Sequence, residues 1–153
     1  GNTSSGVKTN NGDTRTIHII NENTVKQFSK AVYGEEDVVL SSTRFRPNII
    51  IDNLEPWAEF DLIDQTIEVV SKENSDGIDP INPLRFRIVS RTVRCAGVGV
   101  DPPQPELVMD IPNLLSKHYP EHGPYLGVYA IVLDNDNKDT SRTISVGDTF
   151  RVV

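Results

Sequence analysis

Residues 84–88, with the sequence LRFRI, alternate between apolar side chains and arginines. Successive side chains of a β-strand point to opposite faces of a sheet, so this pattern predicts a strand with one buried and one solvated face. Half-buried strands of this kind are typical of antiparallel sheets. The segment therefore favours a fold built around a mostly antiparallel sheet.

Six further segments are rich in the apolar and β-branched residues that favour strands. They are residues 16–20 (TIHII), 37–40 (DVVL), 44–52 (RFRPNIIID), 65–71 (QTIEVVS), 125–133 (YLGVYAIVL) and 143–153 (TISVGDTFRVV). Pro47 has no amide hydrogen to donate to a sheet, so its segment is predicted to be an edge, a bulge or a strand entry. Gly147 and Asp148 are predicted to form a turn within the last segment.

Two segments have helical periodicity instead. In the first, apolar residues recur at offsets of three and seven, at Val25, Phe28 and Val32. Asn21 or Asn23 is predicted to cap this helix, and Gly34 to end it. The second helix is predicted over residues 110–119, with Pro112 in its first turn. The fold class is therefore α+β, mainly β with two or more helices, as a small mixed barrel.

The length of 153 residues fits one domain with its own core. Residues 1–14 contain mostly Gly, Asn, Ser and Thr, and we expect them to be a flexible tail or linker. The folded domain is then expected over residues 15–153. Because the chain opens on Gly rather than Met, we expect it to be the C-terminal part of a longer protein.

The net charge of −7 argues against a nucleic-acid partner, which requires a surplus of Lys and Arg. No apolar run reaches the ~20 residues that a membrane-spanning helix needs. The single cysteine cannot form an internal disulfide, which favours an intracellular compartment, either cytoplasmic or mitochondrial.

Six arginines lie on two short segments of this acidic chain. They are Arg44 and Arg46 in the first segment, and Arg85, Arg87, Arg91 and Arg94 in the second. Arg presents a rigid fork of donors that suits phosphate, so the clusters indicate an anionic ligand. For Arg85 and Arg87 the preferred alternative is a solvated strand face paired with carboxylates.

Five motifs occur in an order and spacing that resemble the MOSC domain, the family named for the C-terminal domains of molybdenum-cofactor sulfurases. They are RFRPNIIID at 44–52, EPWAEFD at 55–61, RTVRCAGVGVDP at 91–102, DIPNLLSKHYPEHGPYLGVYAIVLDN at 110–135 and TISVGDTFRVV at 143–153. The resemblance covers nearly the whole chain. The sequences of these motifs resemble the stand-alone bacterial-type members more closely than the mitochondrial amidoxime-reducing branch.

The resemblance implies a barrel of the pyruvate-kinase β-barrel type and an anionic pyranopterin molybdenum cofactor; pyridoxal phosphate is not expected. It also implies a cysteine that ligates molybdenum or carries sulfur to it, which matches Cys95. The residues matched to cofactor contacts are Arg46, Asn48, Arg94 and Cys95, and Arg44 lies in the same anion-binding motif. Asp101 is the candidate for orienting the loop or for proton delivery.

The chemistry of Cys95 fits this position, because the thiolate is the form that binds a metal or attacks sulfur and a neighbouring guanidinium favours it. A soft, anionic sulfur donor also suits a high-valent metal. The alternative is a buried free cysteine that acts as a small hydrophobic residue.

The sequence departs from the family at Val98 and Val93, where hydroxyl-bearing residues are common, and at Pro103 and Pro105, which stiffen the turn after Asp101. Two functions therefore remain open. The first is a molybdenum-cofactor-binding domain of an oxidoreductase or sulfur-transfer protein; the second is a cofactor-free binding or assembly module that keeps the fold. Expected partners are an upstream domain of the same chain and an electron-transfer or sulfur-donor protein. Because that domain would share the cofactor cleft, we expect the cofactor to be absent from this fragment.

Other candidate sites are weaker. Pro120 separates His118 from His122 and argues against a zinc site on one helix face. Residues 134–139 (DNDNKD) lack the glycine and closing Glu of a calcium loop and are predicted to form a hairpin tip. Trp57 is predicted to lie in the core, with a pocket wall as the alternative.

Overall fold

The computed structural model describes residues 16–34, 40–72, 83–95, 100–101, 104–133 and 143–153. These residues form eight strands and two α-helices, with bounds as follows: β1 Thr16–Asn21, α1 Glu22–Tyr33, β2 Ile49–Ile51, β3 Thr66–Val70, β4 Arg85–Val93, β5 Val100–Asp101, β6 Gln104–Val108, α2 Ile111–His118, β7 Tyr125–Leu133 and β8 Thr149–Val152. Two short 3-10 helices cover Ser42–Phe45 and Ala58–Leu62.

Six of the strands form one curled half-barrel sheet in the order β2-β1-β7-β4-β3-β8. Only the β1–β2 pair is parallel, and the other pairs in this sheet are antiparallel. The strands β5 and β6 pair with each other separately. The prediction of a mainly β, mostly antiparallel fold with two helices is confirmed.

The alternation predicted for residues 84–88 is present in β4. Phe86 and Ile88 are buried in the core, whereas Arg85 and Arg87 are exposed. Arg85 pairs with Glu68 at 2.8 Å, and Arg87 lies 3.7 Å from Asp64. The two arginines therefore line a solvated strand face with carboxylate partners, as the preferred alternative held.

Both predicted helices are present with their predicted ends. The Asn21 side chain caps α1 by accepting from the amide of Asn23 at 3.1 Å, and Gly34 ends it with a φ of 71°. The Asp110 side chain caps α2, and Pro112 lies in its first turn. No helix in the described part of the chain is long and apolar enough to cross a membrane.

The structure corrects two strand boundaries and one predicted turn. The motif RFRPN is not extended, because Ser41 caps the 3-10 helix Ser42–Phe45 and Arg46 adopts a left-handed conformation before β2 begins. The closing segment is a strand only over Thr149–Val152, although the turn at Gly147 and Asp148 is present.

The third correction concerns Gln104–Val108, which forms β6 where a proline-stiffened turn was predicted. Residues 1–15, 37–39 and 134–139 lie outside the described part of the chain, and so do the tail, most of the DVVL strand and the hairpin tip predicted for them.

Candidate functional site

Arg94 joins the cysteine motif to three other parts of the chain. It follows β4 and is 6% exposed. Its Nε donates to the carbonyl of Leu126 at 2.8 Å, and its Nη1 donates to the carbonyl of Phe45 at 3.1 Å. Its Nη2 donates again to Leu126 and also contacts His18 Nε2. A guanidinium has five N–H donors, so these four bonds leave at most one for a ligand.

His18, on β1, contacts both of the motifs in which cofactor contacts are predicted. Its amide donates to Asn48 Oδ1 at 2.8 Å, and its carbonyl accepts from the Asn48 amide at 2.9 Å. Its ring lies between Arg94 on one side and the carbonyl of Arg46, 3.4 Å from Nδ1, on the other. Because a guanidinium can only donate, Nε2 must accept, and the hydrogen of the neutral ring is on Nδ1, facing Arg46.

Burial and the charge of Arg94 lower the pKa of His18 from 6.5 to about 4. Burial likewise lowers the pKa of Arg94 to about 10, although a Cys95 thiolate and a Tyr129 phenolate would oppose that shift. Near neutral pH the pair is therefore a neutral imidazole and a guanidinium cation. In this arrangement Arg94 donates to His18 without charge repulsion.

Gly127 of β7 leaves the space in which this pair packs. Its φ is 85°, a conformation that L side chains rarely adopt. A Cβ there would lie 2.9 Å from His18 Nε2, 3.0 Å from Arg94 Nη2 and 2.6 Å from Ile20 Cδ1. Any side chain at Gly127 would therefore displace the His18–Arg94 pair.

The predicted cofactor residues fall into two groups by burial. Arg46, Asn48 and Cys95 are exposed, whereas Arg44 and Arg94 are buried. Exposed Arg46 occupies the left-handed position with a φ of 53°, where the chain turns towards β2. The hydrogen bond from Arg94 to Phe45 brings the Cys95 segment beside this turn. Arg44, at 1% exposure, belongs to the interior beneath it.

Two other predicted features lie at the edge of the description. Asp101 is in β5, and only its backbone is described; residue 98 and Pro103 lie outside the described residues. Val93, at the end of β4, is 59% exposed and stands two residues from Cys95. The exposed residues in the segment around Cys95 therefore include an apolar side chain.

Trp57 belongs to the core and also walls a groove. It is 9% exposed. Its ring centroid lies 4.8 Å from that of His122, on which it stacks, and 4.5 Å from that of Tyr119. The groove has a volume of about 480 Å³ and is lined by Gln27, Lys30, Ala31, Trp57, Tyr119 and Glu121. Trp57 therefore packs in the core, as predicted, and also forms part of a pocket wall, which was the alternative.

A buried carboxyl lies beside this aromatic cluster. Glu59 is fully buried, and its Oε2 accepts from Asn21 Nδ2 at 3.0 Å and from Thr24 Oγ1 at 2.9 Å. Its Oε1 has no partner among the described residues. Burial raises the pKa of this carboxyl, while the two hydrogen bonds oppose the rise. The network ties the segment after β2 to the start of α1.

Among the described residues, no three His, Cys, Asp or Glu side chains are grouped so that they could hold a metal ion. His118 lies on α2, whereas His122 lies beyond it and packs against aromatic rings. The exposed thiol of Cys95 and the cations near it can instead serve an anionic ligand that carries its own metal.

Sequence reasoning missed His18 and Gly127. A single histidine among apolar strand residues has the pattern of a core position, and its partners lie 28 to 76 residues away. Gly127 interrupts an apolar strand, which was a usable signal, because glycine inside a strand often marks a close approach of another group.

A search of the curated proteins found no match to this chain. The protein-family model described as MOSC domain matches residues 7–151. This match covers all the elements described above except the last two residues of the chain. The chain therefore belongs to the MOSC domain family.

Proposed function

We propose that this domain binds a molybdenum cofactor as part of an oxidoreductase or sulfur-transfer protein, with Cys95 as the protein's ligand to the metal. One observation carries the proposal: the 3.1 Å hydrogen bond from Arg94 to the carbonyl of Phe45 places the cysteine motif beside the RFRPN turn. Membership of the MOSC family adds the cofactor class to this juxtaposition.

The exposed residues fit the chemistry of such a group. Cys95 would supply one soft thiolate, and the remaining ligands would come from the cofactor, so no cluster of protein ligands is required. Arg46 would hold the phosphate, and Asn48 would offer its side-chain amide hydrogens, because its Oδ1 already accepts from His18. When bound, the molybdenum centre would supply the redox or sulfur-transfer chemistry.

Three further assignments belong to the same proposal. Asp101, next to the cysteine motif, would orient the loop or deliver protons. A second domain of the same protein would cover the other side of the cofactor, and an electron-transfer or sulfur-donor protein would serve the reaction. The motif wording favours a relationship to the stand-alone bacterial-type members of the family.

A cofactor-free binding module is the second candidate, and two observations favour it. Val93 is 59% exposed beside Cys95, and four of the donors of Arg94 are used within the protein. A surface with an exposed apolar side chain and few free hydrogen-bond donors suits a protein partner.

Metal analysis of the full-length protein, with the proposed second domain present, purified from its native cell separates the two candidates. We expect molybdenum in near-stoichiometric amount in the wild type, and none in a Cys95→Ser variant that melts at the same temperature. Arg46→Ala should lower cofactor retention by about tenfold, because a charge-assisted contact is lost. Arg87→Ala, on the solvated strand face, is the matched control and should retain it. Molybdenum-free wild-type protein would favour the binding module.

A further inference from the structure

We infer that His18 is a positioning residue, which acts through Arg94 and the Arg46 turn to present the cations of the site to Cys95. The inference deepens the proposed function and rests on it for the identity of the ligand. His18 itself is 8% exposed, so it is too buried to be a general surface contact for a cofactor. Its role therefore lies in what it holds.

The contacts of His18 reach both the RFRPN motif and the residue before Cys95. Its backbone makes two hydrogen bonds with Asn48, which fix the start of β2 against β1. Its ring faces the carbonyl of Arg46 and accepts from Arg94, the residue before Cys95. Arg46 and Asn48 come from one motif, and Arg94 and Cys95 come from another nearly 50 positions away. His18 contacts all of these residues except Cys95.

The ring has one arrangement that satisfies both neighbours. Nε2 accepts from Arg94 while Nδ1–H faces the carbonyl of Arg46, so a side chain that lacks an acceptor would leave a guanidinium N–H buried without its partner. Arg94 and the Arg46 turn would then shift relative to each other. Gly127 permits the close approach, because it places no Cβ between the ring and the guanidinium.

Cys95 allows a direct test, since it is the only cysteine in the chain. Iodoacetate and iodoacetamide alkylate a thiolate by the same displacement of iodide, but only iodoacetate is anionic. The ratio of their rates therefore reports the positive charge near the sulfur, whereas both rates change together if the thiol merely becomes more accessible. Neither reagent requires the cofactor.

Three substitutions separate the functions of the ring. His18→Gln keeps an acceptor near the position of Nε2, whereas His18→Phe keeps the ring volume without an acceptor. His18→Asn keeps polar atoms near Nδ1 but cannot reach Arg94. We expect the iodoacetate-to-iodoacetamide ratio to fall about threefold in His18→Phe and His18→Asn, and to stay within about twofold of the wild type in His18→Gln. The fall should vanish at high salt.

Thr24→Val serves as a control for lost stability, because it removes a buried hydroxyl from the Glu59 network without touching the site. An unchanged ratio in folded His18→Phe would overturn the inference, as would an equal fall in Thr24→Val. If His18→Phe does not fold, the comparison of His18→Asn with His18→Gln decides, and equal ratios in that pair are the contrary result. A changed ratio in protein that never binds molybdenum would leave the positioning role intact and reject the cofactor assignment.

Discussion

The imidazole of His18 accepts a hydrogen bond from the guanidinium of Arg94, 76 residues further along the chain. Both groups are buried, and burial lowers the pKa of each, which favours the neutral form. The contact places a titratable group inside the site, and its effect on stability can be measured without knowing the ligand.

We expect the protein to lose stability on mild acidification through His18. Its pKa is about 4 in the folded state against 6.5 in the unfolded chain, so the unfolded chain binds a proton first. Stability is fully present above pH 6.5 and falls as the pH drops towards 4, by about 3 kcal/mol in all. Urea unfolding of the wild type and His18→Gln between pH 7.5 and 4.5 measures the difference.

Carboxylates titrate in the lower part of this range in both proteins, so only the difference between the two curves belongs to His18. Among the described residues, the side chains of Arg94 and Tyr129 contact the ring, and Arg46 contacts it through its backbone carbonyl. Parallel curves for the two proteins would show that the ring does not titrate as its burial requires.

Gly127→Ala should destabilise the protein strongly. The new Cβ meets three side-chain atoms within 3.0 Å, and the residue keeps a positive φ. Gly34→Ala is the matched control, because Gly34 also has a positive φ but nothing lies within 4 Å of its Cβ position. We expect Gly127→Ala to cost about 1–3 kcal/mol more than Gly34→Ala in thermal or urea unfolding. Equal losses would mean that the site adapts to the added methyl group.

Arg94→Lys should lower the free energy of unfolding by about 2–4 kcal/mol. A single ammonium cannot replace the fork that reaches the carbonyls of Leu126 and Phe45 together, so a buried acceptor loses its partner. Arg87→Lys changes an exposed arginine whose carboxylate partner is 3.7 Å away, and we expect less than about 0.5 kcal/mol there. Similar urea midpoints for the two variants would contradict a structural role for Arg94.

Glu59 should produce a pH dependence of the opposite sign to that of His18. Because burial raises its pKa, the folded protein binds the proton more readily than the unfolded chain does. Stability from this group is therefore gained as the pH falls through its raised pKa. Relative to Glu59→Gln, the wild type should become more stable between pH 7.5 and 5 in urea unfolding. A constant difference across that range would indicate that Glu59 is ionised throughout.

The sequence predicts the solvated face of β4 and both helices well, because these depend on local periodicity and caps. Phe86 and Ile88 are buried as predicted, and Asn21 and Gly34 bound α1. The RFRPN segment was predicted as a strand from its composition. Its actual shape depends on the cap at Ser41 and the left-handed Arg46, which local composition does not reveal.

The site was predicted less completely than the fold. The motifs predict the same cofactor-binding role for Arg46, Asn48, Arg94 and Cys95. Arg46, Asn48 and Cys95 are exposed, whereas Arg94 is buried and donates to backbone carbonyls of the protein. Burial and long-range pairing distinguish Arg94 from the other three residues, and a short motif reveals neither. His18 was missed for the same reason.

The place of β1 in the sheet bears on when the site can form. This strand lies between β2 and β7, and its register with β7 pairs Thr16 with Ile131. During synthesis β1 must wait, with one edge unpaired, until more than a hundred further residues have been added. Contacts this distant in sequence are slow to form, and an exposed strand edge in the waiting chain is open to wrong partners. The thiol of Cys95 would therefore acquire its charged surroundings late in folding, which makes its preference for an anionic alkylating reagent a marker of complete assembly.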